Sequence, residues 1–481
     1  MSTEQPHLRP VAPEGRHRIL VATGDVLGAQ MAGPAIRAWQ IASALHREHD
    51  VHLVSSVSCT LTGAPFPVSL VDETRFGELL AWCDVVIFQG HLMRLFPAMA
   101  HSDRVVVADV YDPFHLEVLE QMRDKPPAER HQIVVQSVDV LNEQLARADF
   151  VTCASRKQRD FWLGQLSGLG RINPLTYDAD ESLDSFVAVV PFGVSDDPPV
   201  RTRHAIRGVV PGIGPDDLVL LWGGGVYNWF DPLTLLRAVD RIKERVPSVR
   251  LFFLGLRHPN PHVEEMRMAV DTRKLSDELG LTGRHVFFNE DWVPYEDRQN
   301  YLLDADVGVS THLDHIETAF SFRTRILDYL WAGLPIVATG GDSLAELIDA
   351  EGLGSTVPPS DVDALAEALE RILTDHEFRR RCAEASAATA DRFRWATSLE
   401  PLVRFCRAPR RAADATDRWT WPPPGPVQRP RYDPRRFVPA VIRRLRAGQH
   451  RVLLARIVAR IRPSSDGRRN PTPSPDGPPS G

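Results

Sequence analysis

Short apolar runs alternate with stretches of helical spacing along most of the chain. Arg18 to Ala22, Val51 to Val57, Val85 to Gln89, Val105 to Asp109, Phe150 to Cys153 and Val187 to Val190 read as strands. Helical stripes such as Ala35 to His46 intervene. That alternation predicts an α/β fold with a doubly wound parallel sheet. The segment from Val189 to Pro199 then behaves as a linker, because its glycine and prolines punctuate a finished strand. A second series follows: Val219 to Trp222, Arg250 to Gly255, His285 to Asn289, Val307 to Ser310, Pro335 to Ala338 and Ser355 to Val357. The pattern predicts two similar α/β halves joined at one hinge, and the chain shows no short-period repeat.

A length of 481 residues fits two domains plus extensions. The expected organisation is a terminal segment 1–15, a first Rossmann-like domain 16–198, a second 199–392, a crossover helix 393–420 returning to the first domain, and an extension 421–481. Apolar content of 43% with 25% charged residues is that of a globular protein with large cores. No run approaches the length of a membrane span, and the first residues lack the apolar centre of a signal peptide, so a cytoplasmic location is expected. The five cysteines, Cys59, Cys83, Cys153, Cys382 and Cys406, are widely spaced and odd in number. Packing roles are expected for them, not a disulfide framework or a zinc site.

Candidate chemistry gathers where predicted strands end. After the first strand, Gly24, Gly28 and Gly33 permit tight turns and close approach to a ligand, and Pro34 suits the first turn of a helix whose N-terminus favours an anion. The spacing is not that of a dinucleotide fingerprint. Arg37 lies one turn inside that helix. After the fourth strand, Asp109, Asp112, His115 and Glu117 fall within nine residues, at the sheet edge where open α/β folds bind ligands. Their spacing makes a poor zinc or iron signature, so no metal is expected.

The second series opens with a strand running into Gly223, Gly224 and Gly225, then Asp231-Pro232 as an N-cap and first-turn pair. Such a glycine run lets backbone N–H groups bind a diphosphate. Farther on, in residues 315–338, Ile326, Leu327, Leu330 and Trp331 form an apolar stripe, while Arg323, Arg325 and Asp328 fall outside it and can face a cleft. A Gly-Leu-Pro corner and a short apolar run complete that segment.

This combination resembles the retaining GT-B glycosyltransferases of family 4, over roughly residues 16 to 407. The resemblance implies two Rossmann-like domains, a nucleotide-sugar donor in the second, and transfer without a metal or other cofactor to a glycan or lipid-linked acceptor. Asp328 stands where the family carries the acid that holds the donor ribose. Glu317 would supply the second acid, although it lies eleven residues earlier instead of eight. The family's usual basic residue after the glycine run is absent, and Arg323 and Arg325 are the candidate replacements. Gly224 and Gly225 would carry the diphosphate, and Gly28, Gly33 and Arg37 the phosphate and acceptor loop. His115 would stand near the reactive carbon, with Asp112 orienting it. Two other readings are an epimerase or phosphorylase on the same scaffold and a nucleotide-binding scaffold without transfer activity.

The net charge of −7 conceals an asymmetry. Between Arg429 and Arg469 stand 13 arginines and two acids, about +11, leaving about −18 for everything else. Within residues 435–462, two apolar stripes lie opposite arginines, a pattern suited to an anionic membrane surface or to docking on the body. The acidic body and the lack of interleaved aromatics disfavour nucleic acid.

Overall fold

The computed structural model describes residues 15–260, 263 and 265–416; the basic segment 435–462 lies outside them. Two parallel sheets form the frame. The first contains β1 (Arg18–Thr23), β2 (Asp50–Ser55), β3 (Val68–Leu70), β4 (Val85–Gln89), β5 (Val105–Asp109), β6 (Phe150–Cys153) and β7 (Val187–Val189), in the order β3-β2-β1-β4-β5-β6-β7. The second contains β8 (Leu218–Trp222), β9 (Val249–Phe253), β10 (Val286–Phe288), β11 (Val307–Ser310), β12 (Ile336–Thr339) and β13 (Gly354–Val357), in the order β10-β9-β8-β11-β12-β13. Every pairing is parallel, and central strands such as β5 are buried along their whole length, as sheets covered by helices on both faces require. The short edge strand β3 spans only three residues, with Val68 half-buried and Leu70 exposed, and is too short to carry a clear strand pattern.

Local chemistry sets the element ends. Asp231 accepts the Thr234 N–H at 3.0 Å, and Pro232 follows it in the first turn of helix Pro232–Ile242. Asp342 caps helix Ser343–Glu351 in the same way, and Gly352 closes that helix in the left-handed conformation. Four of the five cysteines are buried, Cys59 is half-buried, and all are free thiols.

The lobes are tied together at two passages of the chain. Val194 donates to Phe393 O and accepts from Trp395 N, so the segment after β7 runs beside the returning chain. Gly193 permits this approach, because a Cβ there would sit 2.6 Å from the Trp395 ring. Helix Glu400–Arg407 then lies on the first lobe, where Phe405 stacks on Phe150 with ring centroids 4.1 Å apart. Among the described residues no helix is long and apolar enough to cross a membrane.

Candidate functional site

The strand order reverses at β1 and β4 in the first sheet and at β8 and β11 in the second, so the loops leaving these strands diverge and leave a crevice. Those crevices face each other across a cavity of about 410 Å³. Its first-lobe wall is the loop after β1, through Gly33 and Pro34 at the start of helix Gly33–His46, and the loop after β5, through Tyr111, Asp112 and Glu117. Helix Gly33–His46 has no side-chain cap, so its first N–H groups remain open toward a ligand. The second lobe contributes Gly223 to Gly225, Glu317, Arg323, Arg325 and Asp328.

Of the three glycine amides, Gly223 N–H is taken by the Tyr329 hydroxyl at 2.8 Å, which leaves Gly224 and Gly225. Gly224 has φ +117°, a conformation that an L side chain would strain. Tyr329 is fully buried, although it falls outside the apolar stripe of Ile326, Leu327, Leu330 and Trp331. Arg325 is buried as well. Its guanidinium lies 4.3 Å from the Trp222 ring and 4.0 Å from that of Phe230, and Nη2 donates to Gly225 O at 2.8 Å. Nη1 is buried without a hydrogen-bond partner, and burial lowers the group's pKa to about 10. Arg323 forms a two-pronged pair with Glu317 at 2.9 and 2.7 Å, and its buried Nε, though without a hydrogen bond, lies 3.8 Å from the Asp342 carboxylate. Glu317 therefore reaches the cavity despite its shifted spacing, held there by Arg323.

Asp328 faces the cavity from helix Thr324–Trp331, with about a third of its side chain exposed, and accepts from Arg298 Nε at 3.2 Å. Arg298 is a cavity residue that sequence reasoning missed. Its guanidinium is held between the rings of Tyr295, at 3.8 Å, and Trp331, at 4.5 Å. The short polar helix Arg298–Leu302 offers no periodic signal that marks it out.

Across the cavity, Asp112 and Glu117 are close enough to share a hydrogen bond. Burial, then the charge of Glu317, raises Asp112 to about 6; burial, then the charge of Asp112, raises Glu117 well above its ordinary value. The pair thus retains a proton near neutral pH.

Three first-lobe expectations are corrected by the structure. His115 does not line the cavity. It lies within helix Phe114–Gln121 against Phe161 and Trp162, with ring centroids at 5.6 and 6.0 Å, and burial lowers its pKa to about 4. The helix carries Glu117 to the cavity wall and turns His115 away from it. Arg37 is fully buried, pairs with Asp109 at 2.7 and 2.8 Å and donates to Val190 O and Pro191 O, so it braces the hinge instead of meeting a ligand. Gly28 packs against the Thr60 hydroxyl and stands outside the cavity wall.

The lobes touch at the cavity wall and beyond it. Trp292 Nε1 donates to Met31 O at 3.0 Å in the wall, and the buried Gln158 Nε2 donates to Phe320 O at 2.8 Å outside it. A second cavity of about 440 Å³ adjoins the first, sharing Pro34, Tyr111, Asp112, His258 and Val263 with it.

Among solved structures, Anabaena HepE in complex with UDP-glucose superposes with a TM-score of 0.57 at 14% identity, over 81% of this chain and 99% of that one. Sucrose-phosphate synthase from Thermosynechococcus elongatus gives 0.55 at 16% identity, over 82% and 98%. WaaG, a glycosyltransferase involved in lipopolysaccharide biosynthesis, gives 0.56 at 16%, over 82% and 100%. The fold is GT-B. Within this GT-B chain, residues 217–375 match the family model described as glycosyl transferases group 1. The D-inositol 3-phosphate glycosyltransferase of Saccharomonospora viridis is 27% identical over 207 residues, 43% of this chain and 46% of that protein. The chain thus matches about half the length of this curated relative. The group 1 segment contains the glycine run, both arginines, Glu317 and Asp328.

Proposed function

We propose that the protein is a glycosyltransferase that moves a sugar from a nucleotide-sugar donor to an acceptor hydroxyl, with retention and without a metal. One observation carries the reading. Two buried arginines line the interlobe cavity beside the Gly224-Gly225 amides, and Arg325, which has no carboxylate partner among the described residues, keeps a buried N–H without a hydrogen-bond partner. Buried guanidinium N–H groups are costly to leave unsatisfied, and a diphosphate is the ligand whose oxygens fit them.

In this reading Asp328 holds the ribose hydroxyls, oriented by Arg298. Arg323, Arg325 and the glycine amides stabilise charge on the departing diphosphate, the task a divalent cation would otherwise perform. The acceptor oxygen bonds to the anomeric carbon as the bond from that carbon to the β-phosphate oxygen breaks. The bonding pair leaves on the diphosphate, and the hydroxyl proton passes to the departing oxygen. Retention in one step requires departure and attack on the same face of the sugar, with the acceptor hydroxyl held beside the departing oxygen. The contact of Trp292 with Met31 across the cavity wall would help exclude water and favour transfer over hydrolysis. UDP-glucose bound to HepE and the match of residues 217–375 to the model described as glycosyl transferases group 1 support the donor class.

The test is proton NMR of the first sugar product formed from the donor in the presence of EDTA. A product that appears first in the donor's own anomeric configuration supports the proposal. Inversion, or loss of turnover restored by a divalent cation, overturns its retaining or metal-free part.

A further inference from the structure

The second cavity has its own electrostatic character. Three acids, Asp25, Asp109 and Asp112, stand in its wall, and no lysine or arginine does among the described residues. The Arg37 guanidinium is spent behind that wall. Asp109 takes its Nε and Nη2, and Asp109 is itself completed by Gln89 at 3.0 Å and Thr152 at 2.7 Å. Burial lowers the pKa of both lining histidines, His91 and His258, which disfavours their cationic forms. An anionic group placed here would therefore meet like charge without a counter-ion.

The remaining wall has two kinds of surface. Toward the donor cavity it is polar: Asp112 belongs to both cavities, and the His258 ring, fixed because Nδ1 accepts the Asn260 N–H at 3.0 Å, presents its other nitrogen. Away from the donor it is apolar. Phe114 packs on His91 with ring centroids 4.4 Å apart, Leu92 is buried beside them, and Leu95 lies 53% exposed at the rim. A carboxylate and a ring N–H beside the donor suit sugar hydroxyls, and a leucine and phenylalanine wall suits a hydrocarbon or aromatic substituent.

We propose that this cavity binds the acceptor as an uncharged sugar carrying an apolar aglycone, and disfavours acceptors with a phosphate beside the reacting hydroxyl. The proposal rests on the glycosyltransferase reading above. It separates this chain from its relative named for D-inositol 3-phosphate, whose acceptor carries a phosphate.

The test uses the full chain saturated with whichever of UDP, GDP or ADP raises its melting temperature. Octyl and 4-nitrophenyl glycosides of glucose, mannose and galactose are titrated by saturation-transfer NMR against the matching sugar 6-phosphates and inositol 3-phosphate. The neutral glycosides should bind at least about tenfold more tightly than the phosphate esters, because like-charge juxtaposition is strongly unfavourable in a confined site. Leu95→Arg, at an exposed rim position that tolerates a long side chain, should narrow that gap by strengthening the phosphate esters. Phosphate esters binding the native protein as well as the glycosides do, or no glycoside binding at all in the nucleotide-loaded protein, would overturn the proposal. A chain that binds none of the three nucleotides would instead count against the glycosyltransferase reading itself.

Discussion

Arg325→Met is the substitution that most sharply separates ligand binding from folding. In the unliganded protein this guanidinium has no carboxylate partner within salt-bridge distance among the described residues, and its interactions are two aromatic faces and the Gly225 carbonyl. Burial lowers its pKa from 12.5 to about 10, equivalent to roughly 3 kcal/mol of unfavourable charge desolvation at about 1.4 kcal/mol per unit. Because a lowered cation pKa penalises the charged form, that cost is present in full below pH 10 and is relieved only as pH rises from about 10 toward 12.5. Methionine preserves much of the volume against Trp222 and Phe230 and removes the charge. The melting temperature of the unliganded variant should therefore equal or exceed that of the native protein. Nucleoside diphosphate binding should behave oppositely. Loss of a charge-assisted hydrogen bond of about 1.5 to 3 kcal/mol weakens it by about 10- to 150-fold. Free nucleoside, which lacks the phosphates, should bind within a few-fold of native. Isothermal calorimetry with diphosphate and nucleoside, beside a thermal melt, reads all three quantities. Equal losses for the two ligands, or a lower melting temperature with unchanged diphosphate affinity, would show that Arg325 is a packing residue.

Other positions give distinct signatures. Asp328→Ala should weaken donor binding by roughly 1.5 to 3 kcal/mol in calorimetry with the fold intact, and Asp328→Glu should recover most of that loss; unchanged affinity in Asp328→Ala would refute the ribose assignment. His115→Ala should leave turnover within a few-fold and cost about 1 kcal/mol of stability, while blunting the destabilisation expected as pH falls from 6.5 toward about 4; a hundredfold loss of turnover would restore a catalytic role. Asp112 has a raised carboxyl pKa, so its stabilising protonated state is lost as pH rises through about 6. Asp112→Asn should accordingly increase stability above that pH in urea titrations, and a variant equally stable or weaker there would contradict the shared-proton arrangement. Removing the residues after Pro424 should preserve donor binding but abolish salt-sensitive flotation with anionic liposomes; a full-length protein that never floats refutes membrane attachment through residues 435–462.

The two-sheet frame was legible because buried parallel strands such as Val105–Asp109 and Val307–Ser310 carry nearly unbroken apolar runs between turn signals. The edge strand Val68–Leu70 was not, because a half-exposed strand of three residues has no comparable run. In the second lobe the pattern also located cavity residues, since Gly224, Gly225, Arg323, Arg325 and Asp328 follow directly from strand ends and helix phase. Glycine and charge patterns could not show that Tyr329 would consume the Gly223 amide, a contact between residues 106 positions apart. First-lobe chemistry was harder to read. Whether Glu117 or His115 meets the cavity depends on the phase of helix Phe114–Gln121, and Arg37 reads as an accessible cation until Asp109 is folded against it.

The central claim is that the interlobe cavity is built for a nucleotide sugar. Thermal denaturation of the full chain across UDP-, GDP- and ADP-linked sugars tests it most directly, because a ligand at about 100 times its Kd stabilises the native state by about 2.7 kcal/mol. At least one donor should raise the melting temperature, and Asp328→Ala should shift that response to higher donor concentration. A melting temperature that stays unchanged with every donor, in native protein and variant alike, would contradict the account.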